Sequence, residues 1–168
     1  VTRDMGFRRG GIVEAGLLLD DLDVEIICDG CHLPPELIRL AVKCKGYDKL
    51  MLVSDCGPLG GFPEGEYKMA FGPMEFQVFV EDGVCKLMDR SAFAGSIATG
   101  DRLVRNMVNM AEVPLEDAIY MITSTPAKVV GLENKGSVEA GKDADIIITD
   151  GDFNIMKTII GGEIKYEI

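Results

Sequence analysis

Two side chains in this sequence have the chemical type and the setting for proton transfer, Asp55 and His32. Asp55 lies near the end of residues 49–57, in which an apolar run without alternation, Leu-Met-Leu-Val, is followed by Ser-Asp-Cys-Gly. A run of this kind is typical of a strand buried on both faces of a parallel sheet. Asp55 would then stand at the carboxyl end of the strand, where α/β folds place residues that contact substrate. The alternative is that Asp55 only caps the loop or begins a turn with Gly57-Pro58.

His32 is the only histidine, and it follows a β-branched run at residues 24–28 that predicts a short strand. One histidine cannot complete a metal site built from histidines. A lone histidine is often structural, but its place in a loop from strand to helix favours a functional role equally. Cys28 and Cys31 have the spacing of a zinc or redox pair, yet no second pair accompanies them, so reduced thiols are expected.

The elements between these two side chains predict a β-α-β unit. Pro34-Pro35 begins a helix, with Glu36 in its first turn and Gly46 at its end. The crossover in such a unit makes the two strands parallel neighbours. His32 and Asp55 should therefore lie at the same edge of one sheet.

Composition limits the function classes. The net charge of −11 argues against nucleic acid or an anionic membrane as partner. No apolar run approaches the roughly 20 residues of a membrane span, and the basic N-terminus lacks the apolar segment of a signal peptide. The five cysteines are odd in number, which favours a cytoplasmic protein with reduced thiols. Since 168 residues are fewer than the roughly 200 of a complete (β/α)8 barrel, and the chain begins with Val1, we expect a piece of a longer protein.

The remaining pattern is mixed. Residues 1–16 place Arg8-Arg9 among glycines, which indicates a mobile loop or one that approaches a ligand, although solvated arginines are the simpler reading. After a loop at residues 57–65, short strands with an Asp82-Gly83 turn predict an antiparallel insert. The other predicted elements are helices at 101–110 and from Pro114, an interruption at 123–127, methionines 107, 110 and 121 as core filling, and strands at 146–149, 156–160 and after Gly161-Gly162.

Several motifs together carry a resemblance to a known family. The tail resembles the C-terminal signature of the amidohydrolase superfamily through Thr125-Pro126-Ala127, Gly131-Leu132, Gly136-Ser137-Val138 and residues 141–146. Across the whole chain, the sequence resembles the C-terminal part of the N-acetylglucosamine-6-phosphate deacetylase family through Asp29-Gly30-Cys31-His32, Leu52-Val53-Ser54-Asp55, Ala94-Gly95-Ser96 and Val104-Arg105-Asn106.

The resemblance implies a role for each matching position. Asp55 would be the general base toward a metal-bound water and then the acid toward the leaving amine. His32 would contact the substrate and help polarise the acetyl carbonyl. Arg8 would bind the sugar phosphate, often across a dimer, although its loop reads Arg-Arg-Gly-Gly where the family has Arg-Glu-Pro-Gly. The substrate-lining loops would contain Asp29, Gly30, Cys31, Phe93, Ala94 and Gly95.

The implied architecture is α/β, the C-terminal part of a metal-dependent (β/α)8 barrel followed by strands of a small β-sandwich. Residues 1–132 would belong to the barrel, with the insert at about 66–88, and residues 133–168 to the sandwich. The implied cofactor is a divalent metal, zinc or iron, whose glutamate and histidine ligands precede this chain, so no metal ligand is assigned here. The isolated chain is therefore expected to be inactive.

The implied substrate is N-acetylglucosamine 6-phosphate, hydrolysed to glucosamine 6-phosphate and acetate in a cytoplasmic homodimer. Ser54-Asp55-Cys56 replaces the usual Thr-Asp-Ala, which leaves the sugar preference open. Related alternatives are an N-acetylgalactosamine-6-phosphate deacetylase or an N-acyl-amino-acid deacylase. A different class is a non-catalytic truncated product that acts in binding or assembly, because half a barrel leaves edges and apolar faces uncovered.

Overall fold

The computed structural model describes residues 10–168 and contains three sheets. The first pairs β1 with β2, the second has the order β3-β4-β5-β6, and the third has the order β7-β8-β9. In chain order the elements are α1 Ile12–Leu18, β1 Val24–Ile26, α2 Pro35–Lys45, β2 Leu50–Leu52, β3 Gly65–Phe71, β4 Met74–Glu81, β5 Val84–Leu87, β6 Phe93–Ser96, α3 Gly100–Asn109, α4 Leu115–Ile122, α5 Ser124–Val129, β7 Ile146–Thr149, β8 Ile155–Ile160 and β9 Glu163–Glu167.

The β-α-β unit forms as predicted. β1 and β2 are parallel, with Val24 opposite Leu50 and Ile26 opposite Leu52. The connecting helix α2 begins at Pro35, whose fixed φ and missing N–H suit the first turn. It ends before Gly46, which has a φ of +68°. All three residues of β2 are buried, as the unalternating apolar run predicts.

The glycine-rich N-terminal segment contains a helix that the sequence did not predict. Residues 12–18 form α1, although residues 1–16 were expected to be a loop. The Glu14 carboxylate accepts the backbone N–H of Gly11 at 2.7 Å and so satisfies a donor next to the first turn. At the other end, the Lys45 ammonium donates to the Leu19 carbonyl at 2.6 Å. These two contacts satisfy backbone groups at the two ends of α1.

The antiparallel insert is larger than the sequence indicates. Its hairpin between β4 and β5 turns at Asp82-Gly83, and both residues have positive φ, at +53° and +72°. Residues 93–96 were expected only to allow close approach, but they form β6, the fourth strand, paired with β5. The sheet buries its own small core, which consists of Leu59, Val78, Val80 and Cys85.

Of the helices after the insert, α4 and α5 pack against β2, and α3 packs against α4. α3 and α4 bury Met107 and Met121 completely, which confirms the core prediction for these two methionines, whereas Met110 is only partly buried and lies outside the core. The expected interruption at residues 123–127 is limited to Thr123, whose ψ of −74° and φ of −121° leave the helical region. α5 follows directly, because Pro126 falls in its first turn, where a backbone N–H has no helical partner. The main core joins Ile26, Ile38, Leu50, Leu52, Leu103, Val104, Met107, Ala118 and Met121.

The C-terminal residues form the predicted β-rich end, with Gly161 and Gly162 at positive φ in the last turn. Arg105 of α3 contacts this region, since its Nε donates to the Asp152 carbonyl at 2.9 Å. Within residues 10–168, no helix has the combined length and apolar character needed to cross a bilayer.

Candidate functional site

The carboxyl ends of β1 and β2 carry the two predicted proton-transfer residues. Because the strands are parallel and adjacent, the loops after them leave the same edge of the sheet. The pairing extends one step beyond β2, where the Val53 N–H donates to the Ile26 carbonyl at 3.1 Å. His32 lies six residues after Ile26, and Asp55 lies three after Leu52.

The His32 turn is organised by the carboxylate of Asp29, which is fully buried. Asp29 Oδ1 accepts the backbone N–H groups of Cys31 and His32, each at 2.9 Å. Asp29 Oδ2 lies 2.7 Å from His32 Nδ1. All three contacts hold the imidazole in one orientation, and 24% of the His32 side chain remains exposed.

The charge of Asp29 fixes the tautomer of His32. Burial alone raises the pKa of Asp29, but hydrogen bonds from the His32 and Cys31 backbone and from the His32 ring outweigh it, and the pKa falls below its usual value. An ionised carboxylate only accepts hydrogen bonds, so His32 Nδ1 carries a proton and donates it. Within residues 10–168, Nε2 is then the ring nitrogen without a hydrogen-bond partner. It accepts a hydrogen bond when the ring is neutral and donates one when the ring is protonated.

The insert sheet brings a third loop to this edge. The ring of Phe93, in β6, lies 5.1 Å from the His32 ring between centroids, with the planes inclined by 60°. At the end of β6, Ser96 forms a parallel bridge with Cys56, and its carbonyl accepts the Gly57 N–H at 3.0 Å. The loops after β1 and β2 therefore each contact β6, which also contains the predicted residues Ala94 and Gly95.

Asp55 occupies a distinctive backbone position. Its φ of +47° lies in the left-handed region, which aspartate adopts more readily than most residues. The side chain is exposed, and within the described part of the chain it accepts no hydrogen bond and forms no ion pair. Its carboxylate is thus available to a ligand or a proton, as a catalytic base requires.

The Cys28 and Cys31 thiols are reduced and separate in role. Burial, assisted by the Asp29 charge, raises the pKa of the Cys28 thiol to about 12. Burial and Asp29 also raise the pKa of the Cys31 thiol, although the nearby Arg102 guanidinium opposes this. Neither cysteine is in a disulfide. Neither environment favours the thiolate, which is the form that binds metal.

The described residues do not hold a metal ion by themselves. Among residues 10–168, no group of three or more His, Cys, Asp or Glu side chains is arranged to bind one. His32 Nδ1 is already used by Asp29, which leaves Nε2 and the Asp55 carboxylate as potential donors. Two donors are fewer than the three protein ligands of a catalytic zinc site.

Two cavities of about 650 and 760 Å³ lie away from this edge. The smaller is lined by residues of α4, α5 and the segment 131–142, and the larger lies between α3, α4 and the strands β7 and β8. Neither includes His32 or Asp55 in its lining. These two cavities are therefore separate from the edge that carries His32 and Asp55.

The predicted site residues fall into three groups. Asp29, Gly30, Cys31 and His32 form one turn, and Phe93, which lies with Ala94 and Gly95 in β6, contacts it. Asp55 follows the neighbouring strand. Arg8 lies outside the described residues. Sequence reasoning gave no role to two residues that contact the His32 turn, Arg102 and Asn106. Their spacing of four on a predicted helix was one available signal, and Asn106 also belongs to the matching motif Val104-Arg105-Asn106.

Comparison with known proteins places this geometry in context. The sequence matches the family described as "Amidohydrolase family" over residues 8–165. A protein from Vibrio furnissii named N-acetylglucosamine-6-phosphate deacetylase is 35% identical over 166 residues, which are 98% of this chain and 40% of that protein. A relative from Escherichia coli K12, provisionally named N-acetylgalactosamine-6-phosphate deacetylase, is 30% identical, with 94% of this chain and 91% of the relative covered.

A solved structure agrees in fold. The crystal structure of N-acetylglucosamine-6-phosphate deacetylase from Thermotoga maritima superimposes with a TM-score of 0.87 at 31% identity, covering 99% of this chain and 44% of that one. This chain thus spans about two fifths of the length of the Vibrio and Thermotoga proteins.

Proposed function

Because this chain belongs to the amidohydrolase family, we propose that it supplies the acid-base and substrate-binding residues of a deacetylase that acts on N-acetylglucosamine 6-phosphate. The reaction would give glucosamine 6-phosphate and acetate. The observation that carries the proposal is the common sheet edge, where the Asp29-oriented His32 contacts Phe93 and Asp55 follows the neighbouring strand.

Asp55 has the chemistry for both proton transfers of amide hydrolysis. Its free carboxylate takes a proton from the attacking water as the C–O bond forms. It then returns that proton to the nitrogen as the C–N bond breaks, and the amine leaves. The bonds formed and broken and the charges therefore balance without an external acid. The backbone of Asp55 is in the left-handed conformation, which few residue types adopt without strain.

Among the described residues, His32 Nε2 has no hydrogen-bond partner, and this limits how the ring acts. If His32 stabilises the carbonyl oxygen, it must do so as the imidazolium, since the neutral ring held by Asp29 has no proton on Nε2. The neutral ring can instead accept a hydrogen bond from a sugar hydroxyl. Phe93 offers an apolar face beside it for the sugar ring or the acetyl methyl. The phosphate would be bound by Arg8, because a guanidinium matches phosphate in a planar fork.

The family is generally metal-dependent, and we propose that a divalent metal, zinc or iron, is held by residues other than those described. The whole enzyme would place residues 1–132 in a (β/α)8 barrel and residues 133–168 in a β-sandwich. A homodimer in the cytoplasm fits the across-dimer phosphate site and the five reduced thiols.

The test is a chimera in which this chain replaces the matched 40% of the Vibrio furnissii deacetylase. Acetate release is measured from N-acetylglucosamine 6-phosphate, N-acetylgalactosamine 6-phosphate and an N-acyl amino acid. Preference for the first substrate supports the proposal. Preference for the second favours the sugar named for the Escherichia coli relative. A chimera that elutes as a folded protein and binds metal, but hydrolyses none of the three, would overturn the proposal.

A further inference from the structure

Helix α3 contacts the turn that carries His32 through two polar side chains, Arg102 and Asn106. They are four residues apart, so they lie on one face of the helix. We propose that Arg102 and Asn106 are positioning residues that hold the His32 turn, residues 28–32, against the insert sheet. The inference rests on the proposed function only for its catalytic meaning, since the geometry is independent of any activity.

Asn106 binds the turn through a hydrogen bond to its backbone. Its Nδ2 donates to the Cys28 carbonyl at 2.9 Å, immediately before Asp29. The same amide lies directly under Gly30, where an added Cβ would come within 3.1 Å of Asn106 Nδ2. Gly30 also has a φ of +83°, which a side chain would strain. Glycine at position 30 and the amide donor at position 106 therefore both suit the close approach of this turn to the helix.

Arg102 joins the same turn to the insert. Its Nη1 donates to the Gly83 carbonyl at 2.7 Å, and its Nη2 lies 3.7 Å from Cys31 Sγ. Cys31 Sγ in turn lies 3.9 Å from the Asp82 carbonyl. An added Cβ at Gly83 would come within 2.9 Å of Arg102 Nη1, so the guanidinium would have to move if position 83 carried a side chain. One planar fork thus spans two chain segments, and a lysine ammonium cannot reproduce that geometry.

The two contacts have a common consequence for His32. The hairpin that Arg102 grips belongs to the sheet that also carries Phe93, and Phe93 packs on the His32 ring. Fixing the turn to the hairpin therefore fixes the distance between these two rings. Asn106 holds the backbone just before Asp29 through its hydrogen bond to the Cys28 carbonyl, and Asp29 sets the orientation of the His32 ring. Loss of either α3 side chain should loosen the imidazole without touching it.

The full chain can be tested by NMR without any assay of activity, because His32 is the only histidine. The ring protons of His32 should show a ring-current shift from Phe93, and Phe93→Leu measures its size. Arg102→Lys should lose most of this shift. Asn106→Ala should speed hydrogen exchange of the Cys31 and His32 amides roughly threefold to tenfold, as expected for one lost hydrogen bond.

Matched controls lie on the same helix. Arg105→Lys removes a guanidinium whose contacts are to Asp101, Asp152 and Asn154, away from the His32 turn. Asn109→Ala removes an exposed amide of the same type. Both controls should leave the His32 shift and the two amides unchanged, and melting temperatures should be recorded for all variants.

The proposal is overturned if Arg102→Lys and Asn106→Ala leave the His32 signals at their native positions. It is also overturned if both variants unfold the chain while their controls stay folded, since that result assigns them a general structural role. The activity of the chimera tests the proposed function separately. An inactive chimera with native His32 responses would reject the deacetylase and retain the positioning of the turn.

Discussion

Asp29→Asn should reverse the tautomer of His32, and this follows from the directions of three hydrogen bonds. The asparagine Oδ1 can still accept the backbone N–H groups of Cys31 and His32, which each lie 2.9 Å from Asp29 Oδ1 in the native chain. Its amide group would then face His32 Nδ1, which lies 2.7 Å from Oδ2 in the native chain. Flipping the amide would set it against two donors, so the unflipped form should win. Nδ1 must become an acceptor, and the proton moves to Nε2.

The cost in stability can be worked from the same contacts. A hydrogen bond to a charged group is worth about 1.5–3 kcal/mol, and a neutral one about 0.5–1.5 kcal/mol. Asp29 is fully buried and accepts three such bonds. Weakening all three, with partial compensation from the lost desolvation of the charge, gives a loss of about 2–3 kcal/mol in the free energy of unfolding.

The pH dependence has a definite sign. The folded pKa of Asp29 is lowered, so the unfolded chain binds more protons in acid, and the contribution of Asp29 to stability rises with pH. That contribution should be complete above the unfolded pKa of about 3.9 and lost as pH falls through the folded value. Asp29→Asn should remove this dependence.

The assay is ¹⁵N NMR of the single histidine together with urea unfolding between acid and neutral pH. Asp29→Ala serves as the comparison, because it removes every acceptor and should leave His32 sampling both tautomers. A proton that stays on Nδ1 in Asp29→Asn, or an unfolding free energy equal to that of the native chain, would refute the reasoning.

Three further expectations have simple measurements. Gly83→Ala should lower the free energy of unfolding by more than Gly61→Ala. Both glycines have positive φ, and that backbone strain alone costs about 1–2 kcal/mol, but only a side chain at position 83 would press on Arg102. Equal losses of stability in denaturant melts would contradict this expectation. The isolated chain with added zinc should release no acetate from N-acetylglucosamine 6-phosphate, because residues 10–168 contain no cluster of metal ligands, and measurable release would show that residues 1–168 suffice. A thiol reagent at neutral pH should modify the exposed Cys44 and Cys56 before the buried Cys28 and Cys85. Mass spectrometry that finds the reverse order would contradict this difference in burial.

The sequence predicted the elements around the site because their signals are local. The unalternating apolar run at β2, Pro35 at a helix start and the Asp82-Gly83 turn each restrict the backbone within a few residues. The parallel pairing of β1 and β2 then followed from the crossover helix. Those features were enough to put His32 and Asp55 at one edge.

Other features depend on contacts between segments distant in sequence. α1 forms in a glycine-rich stretch because Glu14 and Lys45 satisfy its ends, and Lys45 is 26 residues from its acceptor. β6 forms because β5 offers it an edge, which the small residues at 93–96 do not signal. The contacts of Arg102 and Asn106 with the His32 turn span 71 and 78 residues. A sequence pattern alone does not reveal which helix face meets which loop.

The most direct test of the central claim is acetate release from N-acetylglucosamine 6-phosphate by the Vibrio furnissii chimera and by the same chimera with Asp55→Asn. Asparagine keeps the shape of the side chain but cannot take up the proton. If Asp55 serves as base and acid, kcat should fall by about 10²- to 10⁴-fold, with KM and metal content nearly unchanged. An Asp55→Asn chimera that turns over at the rate of its parent would contradict the placement of catalysis at this edge of the sheet.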